Sequence, residues 1–182
     1  MTREQLALLL MTAARIADDD RILVLGSQAV LASWPDEDLP DAATRSVAAD
    51  LAWFYEDGTK WNDVDWQIGE MSAFEVAHGF YAQGVEVSTA VLPAGWEGRL
   101  VRFPDPSGTT SNALCLDPHD LVVAKLVAGR EKDREFAAAL LNAGLVRVTV
   151  LSERANALPD SEGVRRRSVV LWLQSWQSKY GG

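Results

Sequence analysis

Cysteine occurs once, at Cys115, so the chain has no intrachain disulfide and no cysteine-based zinc site. Histidine occurs twice, and neither His78 nor His119 has an Asp/Glu grouping at metal-ligand spacing, so no zinc site is argued. No apolar run approaches the roughly 18 residues that a membrane span needs. Arg3 and Glu4, ahead of Leu6 to Met11, do not form a leader with a cleavage pattern. The nucleophile pattern Gly-x-Ser-x-Gly and the phosphate loop Gly-x-x-x-x-Gly-Lys-Ser/Thr are both missing, which removes the commonest hydrolase and ATPase readings. Positive charge is scarce. Seventeen Lys and Arg face 26 Asp and Glu, a net charge of −9. That argues against a general nucleic-acid coat, whose affinity comes from neutralising phosphates. It leaves room for local basic clusters at Arg130, Lys132 and Arg134 and at Arg165, Arg166 and Arg167, each readable as a solvated helix face or as a binding surface. A reducing, cytoplasmic setting with no membrane association is the expectation.

What remains is an ordinary soluble composition, 48% apolar and 24% charged, in a chain of 182 residues. That is enough for one domain with a real core and a small helical appendage. Ile22 to Leu25 is a short continuous apolar run, the pattern of a buried strand. It stops at Gly26-Ser27, and Gln28 to Ala32 reads as the start of a helix. Such a turn exposes unpaired backbone N–H groups to a ligand, which suits phosphate; it also describes an ordinary strand-to-helix connection. Ser46 to Trp53 reads as a second strand, with Ser46, Ala48 and Asp50 on one face.

Elsewhere the local signals are clear. Thr2 to Gln5 has capping-box spacing ahead of a helix-period face at Leu6, Leu9, Leu10, Ala13 and Ile16. Asp18 to Asp20 reads as a solvated turn ending that helix. Trp34 to Pro40 is a loop, and Glu56-Asp57-Gly58 and Asp105 to Gly108 are turns. Lys60 to Gln67 reads as a partly exposed helix that puts Asp63 and Asp65 on opposite faces. Ser72 to Glu75 is a second capping box, opening a short helix that Gly79 stops. The alternation of Val85 to Val91 predicts a strand, Arg99 to Phe103 its antiparallel neighbour, and Ala113 to Leu116 a last short strand. Asp117-Pro118 opens a helix with an acid at the N-cap and proline at N1, its buried stripe being Leu121, Val122, Ala124, Val127 and Ala128. A second helix covers about 130–142. The rest, to Tyr180, reads as two more helices, with Trp172 and Trp176 on one apolar face, either packed or facing a partner.

Taken together, the Gly26-Ser27 turn after a strand, the Ser46 to Asp50 strand and the lysine-bearing stretch Lys125 to Asp133 resemble the nucleotidyltransferase superfamily. Ala43 to Ser46 and Ile68 to Glu70 add to the likeness, which covers about Ile22 to Leu145. Within the superfamily it resembles nucleotidyltransferase-like toxins of bacterial toxin–antitoxin systems, the AbiEii/MenT kind. The resemblance implies an α/β (α+β) fold, a short mixed sheet flanked by helices. The core would span 1–145, with a helical extension over 146–182 packed on it.

It also implies a chemistry: nucleotide transfer from an NTP to RNA, the tRNA 3′ end above all, blocking translation, with a cognate antitoxin protein as partner. Mg²⁺ is the implied cofactor, since a small hard cation held by carboxylates neutralises the triphosphate. By the same resemblance Gly26, Ser27 and Ser46 would hold nucleotide, Asp50 the metal, Lys125 the triphosphate, and Arg130, Lys132 and Asp133 would complete the site. Glu86, on the expected following strand, could supply a third acid or simply face solvent. The family pattern is Thr/Ser-x-Asp/Glu-x-Asp, and here Ala48 occupies the position of the first acid. A methyl group ligates nothing. The alternative from a different class is therefore a non-catalytic binding module with the same fold.

Lys125 stands out on its own chemistry as well. A lysine amid Leu121, Val122, Leu126 and Val127 is costly unless it is paired, reaches a pocket, or snorkels to solvent.

Overall fold

The computed structural model of the chain describes residues 1–54, 58–104 and 112–180. The turns expected at Glu56-Asp57 and Asp105 to Gly108 lie outside the described residues.

Helix α1 (Arg3–Ala17) starts at Thr2 with both halves of the capping box in place and buries Leu6, Leu9, Leu10 and Ala13. The acidic turn after it is not simply solvated. Asp19 accepts from Arg21 Nε at 2.9 Å and from Lys60 Nζ at 2.6 Å, and its side chain is largely buried. Strand β1 (Leu23–Val24) is the centre of the sheet and wholly buried. A 3-10 helix, Ser27–Ala32, follows it in place of the α-helical start that Gln28 to Ala32 suggests. Six residues in that tighter winding do not build the dipole of a long helix.

Helix α2 (Asp41–Thr44) then delivers the chain to strand β2 (Ala48–Ala52). Helix α3 (Thr59–Ile68) matches the Trp- and Asp-rich segment, and α4 (Ala73–His78) starts where Ser72 accepts from the Glu75 N–H. The second box closes differently from the first: the Glu75 carboxylate takes the N–H of Met71, not that of Ser72.

Strand β3 is Tyr81–Gly84, ahead of the expected Val85 to Val91 strand, most of which is not a strand at all. Past Val85, whose N–H bonds to Leu51 O, the chain leaves the sheet and makes a 3-10 turn over Val87–Thr89. The reason is local. Ser88 Oγ donates to the Glu86 carboxylate and Thr89 Oγ1 to the Glu86 carbonyl, an alternative to ladder pairing. The expected partner strand shrinks to β4 (Val101–Arg102), preceded by a 3-10 turn at Trp96–Arg99. Strand β5 (Leu114–Cys115) is its antiparallel neighbour.

The sheet order is β3-β2-β1-β5-β4. It is mixed, as the resemblance implies: β1 runs antiparallel to β2 and parallel to β5, and β2 runs parallel to β3. Helix α5 (Pro118–Ala128) leaves β5 through the Asp117 cap, which accepts from the N–H groups of His119 and Asp120. Its buried positions are Pro118, Asp120, Leu121, Val122, Val123 and Leu126, while Ala124 and Val127 are half-buried and Ala128 is exposed, a stripe shifted from the expected one. Gly129 ends it at φ +71, a left-handed turn that suits glycine. The chain therefore folds back at once into α6 (Glu131–Asn142).

Helices α7 (Val148–Asn156) and α8 (Gly163–Tyr180) pack on α5 and on each other, and Val169 and Leu173 join the apolar cluster that includes Leu6 of α1. Trp172 and Trp176 stack at 5.6 Å between ring centroids, half-buried on α8. Among the described residues no helix is long and apolar enough to cross a membrane.

Candidate functional site

Two clefts of roughly 530 and 500 Å³ meet along one wall made of Asp50, Gln83, Lys125 and Arg130. The first runs from Gly26 between β3 and α5, with Val91, Leu121, Ala124 and Val127 as an apolar side and Arg165 of α8 at its edge. The second is more polar and takes in Ser27, Arg45, Ser46, Ala48, Tyr81 and Lys132.

Sheet topology explains the meeting point. The Leu25 N–H bonds to the Asp50 carbonyl at 3.0 Å, which sets Gly26 directly beside the Asp50 side chain. A Cβ on Gly26 would overlap the Asp50 carboxylate oxygen and lie 2.9 Å from its Cγ. Glycine is needed here for close approach, not for an unusual backbone angle, since its φ is −81. Within β2, Ala49 and Leu51 face the core while Ala48 and Asp50 are half-buried along the cleft. On the other side, parallel pairing puts Gln83 in register with Asp50 and Tyr81 with Ala48.

The cations come from the α5–α6 corner. Lys125, half-buried in the third turn of α5, reaches Asp133 at 3.5 Å and lies over the Phe136 ring at 5.5 Å. Asp133 is 1% exposed and is held chiefly by Arg130, which donates through Nε at 2.6 Å. Burial raises the Asp133 carboxyl, but the Arg130 hydrogen bond and the Lys125 and Arg130 charges outweigh it, so the net shift is downward. Burial lowers the Lys125 ammonium, against the pull of Asp133 and Asp50. Burial also raises Asp50, against the charges of Lys125, Arg130 and Lys132. The corner thus holds an acid and a base whose charged forms are both disfavoured and which stabilise each other.

Of the residues picked out in the sequence, Gly26, Ser27, Ser46, Asp50, Lys125, Arg130, Lys132 and Asp133 all line this pair of clefts. Ser46 lies two residues ahead of β2, outside the strand expected from Ser46 to Trp53, and turns its hydroxyl onto the strand's first residue, donating to Ala48 O and accepting from Ala48 N–H. Glu86 is elsewhere. It lies off the sheet and lines a separate cleft with Trp53, Trp61 and Ser88. Asp63 and Asp65 also stay out of the clefts, as their placement on α3 suggests.

Four contributors were not legible in advance. Gln83 sits on a strand whose Tyr81-Ala-Gln-Gly84 sequence carries little β signal. Arg45 and Arg165 arrive from separate elements, and Arg165 had no mark beyond its basic cluster. Gln28, fully buried, ties the 3-10 helix to β2 through Nε2 to Ser46 O at 2.8 Å; one amide inside an apolar run was the available signal.

Residues 4–162 match the family described as nucleotidyltransferase of unknown function, DUF6036. The chain belongs to that family. No curated protein and no solved structure matches it. The match covers nearly all of α1 and runs through α7, and so includes Gly26, Asp50, Lys125 and Asp133, while Arg165 lies beyond it. Nucleotidyltransferases take NTP substrates and generally use divalent metal ions.

The donor set in this DUF6036 chain does not fit a protein-held metal. The strand position two before Asp50 is Ala48, and the residue in register with Asp50 on β3 is Gln83, an amide. Asp133 is engaged by Arg130 and Lys125, and Glu135 pairs with Arg45 at 3.5 Å. Among the described residues no group of three His, Cys, Asp or Glu is placed to hold an ion. One carboxylate amid cations is a poor seat for Mg²⁺ or any hard cation that wants an oxygen shell.

Proposed function

We propose that this protein holds an NTP in the paired clefts by its triphosphate, and that transfer of the nucleotidyl group to RNA is silenced at Ala48. The observation that carries the reading is that Lys125 and Arg130 stand with Asp50 on the wall the two clefts share, with Lys132 beside them in the second cleft. A polyanion entering there meets three cationic donors, one bidentate arginine and two point-charge lysines, of the kind that phosphate favours. The apolar side of the first cleft suits a base and ribose, and the polar second cleft suits phosphates.

The likeness to toxins of the AbiEii/MenT kind supports the remaining parts: a bacterial toxin–antitoxin origin, the tRNA 3′ end as acceptor, a translation block, and an antitoxin that covers the toxin. The acidic balance of −9 suits a basic partner, whose complex would weaken as salt rises. The helical extension over 146–182 would serve as a wall of the clefts, through Arg165.

A second reading, active transfer with Mg²⁺, is favoured by membership of a family described by that reaction. Incubation with each labelled NTP, Mg²⁺ and total tRNA separates the two. The silenced reading expects nucleotide binding without RNA labelling, and labelling gained on Ala48→Asp. RNA labelling by the unaltered chain, lost on Asp50→Ala, would replace it with the active one. Absence of any NTP binding would end both.

A further inference from the structure

The chemistry around Asp50 reaches past the loss of one acid. Two neighbouring cleft positions that face Asp50 along and across the sheet are neutral: Ala48 on the same strand and Gln83 in register on β3. Gln83 has the length and shape of a glutamate with an amide in place of the charge, so it gives up metal affinity while keeping a donor for a phosphate oxygen. The nearest further acid on that segment, Glu86, has turned off the sheet to bind Ser88. Asp133 and Glu135 are each occupied by an arginine.

The cations are intact. Arg45, Lys125, Arg130, Lys132 and Arg165 line the two clefts against three carboxylates, Asp50, Asp133 and Glu135. Positive charge dominates locally in a chain whose net charge is −9. A divalent cation brought to Asp50 would stand among these groups and be repelled by them, most by the half-buried Lys125, whose charge is screened least.

From this juxtaposition we propose that the clefts bind the uncomplexed nucleoside triphosphate, its phosphates held by side-chain cations alone, so that Mg²⁺ competes for the ligand and does not join the complex. The proposal rests on the reading of the clefts as an NTP site. It reverses the sign of the metal effect that a nucleotidyltransferase shows. Free NTP carries two more negative charges than its Mg²⁺ complex, and those two charges face Lys125, Arg130 and Lys132. Their loss should weaken binding on the order of tenfold.

The test is calorimetric titration of the full chain with ATP, GTP, CTP and UTP in turn, and with inorganic tripolyphosphate, in EDTA and again in excess Mg²⁺. The proposal expects at least one of these probes to bind in EDTA, and to bind on the order of tenfold more weakly in Mg²⁺. Tighter binding in Mg²⁺, or equal binding in both, overturns it while leaving the NTP site in place. No binding of any probe in either condition overturns the NTP site itself, and the proposal with it.

A paired variant, Ala48→Asp with Gln83→Glu, tests the cause. Restoring two carboxylates beside Asp50 should invert the metal effect, making Mg²⁺ strengthen binding. Unchanged metal dependence in a folded double variant would refute the assignment to these two positions. Should the double variant fail to fold, the unaltered chain's titration decides alone.

Discussion

Replacing Lys125 by methionine isolates the ammonium from its stem. The stem packs in α5 and over Phe136, and methionine keeps nearly the same volume there. What disappears is one charge, 3.5 Å from Asp133. Asp133 is not orphaned, because Arg130 still donates to it at 2.6 Å. The Lys125 ammonium is also held below its ordinary pKa by burial, so its charged form is disfavoured in the folded state relative to the unfolded one. Removing it should therefore leave stability within about 1.5 kcal/mol of the parent.

Binding should respond differently. A charge-assisted contact to phosphate contributes about 1.5–3 kcal/mol, so NTP affinity should fall between roughly tenfold and a hundredfold. Thermal melts and calorimetry with the tightest-binding NTP measure the two effects on one sample. Unchanged affinity together with a stability loss above about 2 kcal/mol would refute the reasoning and make Lys125 a structural residue.

Other perturbations read other parts of the structure. Gly26→Ala should push the Asp50 side chain out of place, costing about 1–3 kcal/mol of stability and weakening NTP binding in calorimetry. Asp120, fully buried, is gripped by Arg99 at 2.7 Å and approached by Arg154 at 3.4 Å. Asp120→Ala should cost about 3–5 kcal/mol, seen in chemical denaturation, without a direct effect on nucleotide contacts. Asp50→Asn should raise Tm at pH 7. Burial lifts the Asp50 pKa, so its ionised form is a penalty that is fully present above the folded pKa and gone below the unfolded one. The gain in Tm should therefore shrink as the pH is lowered through the folded pKa; a gain that grows on acidification would contradict the assignment.

Much of the chain was readable because the signals are local. The Thr2 capping box, the Asp117-Pro118 start of α5 and the Gly79 stop depend on residues a few positions apart, and the structure has each of them. Strand identity was less secure. Val85 to Val91 alternates like a strand, yet hydroxyl bonds from Ser88 and Thr89 to Glu86 draw it into a turn, and the shorter, weakly patterned Tyr81–Gly84 takes the sheet edge. A pattern of two-residue alternation cannot weigh itself against a competing local hydrogen bond.

For the site, the resemblance to nucleotidyltransferases picked out Lys125, Arg130 and Asp133, which one helix corner brings together. It also showed that Ala48 stands where an acid is expected. Tertiary structure decided everything that depends on register: Gln83 opposite Asp50, Glu86 in a different cleft, Arg45 and Arg165 at the cleft walls. Register is set by the pairing of whole strands and by core packing, and neither leaves a mark at the residue it positions. The amino-acid sequence determined which charges this protein carries; only the fold determined that the cations meet at Asp50 while Glu86 lies in another cleft.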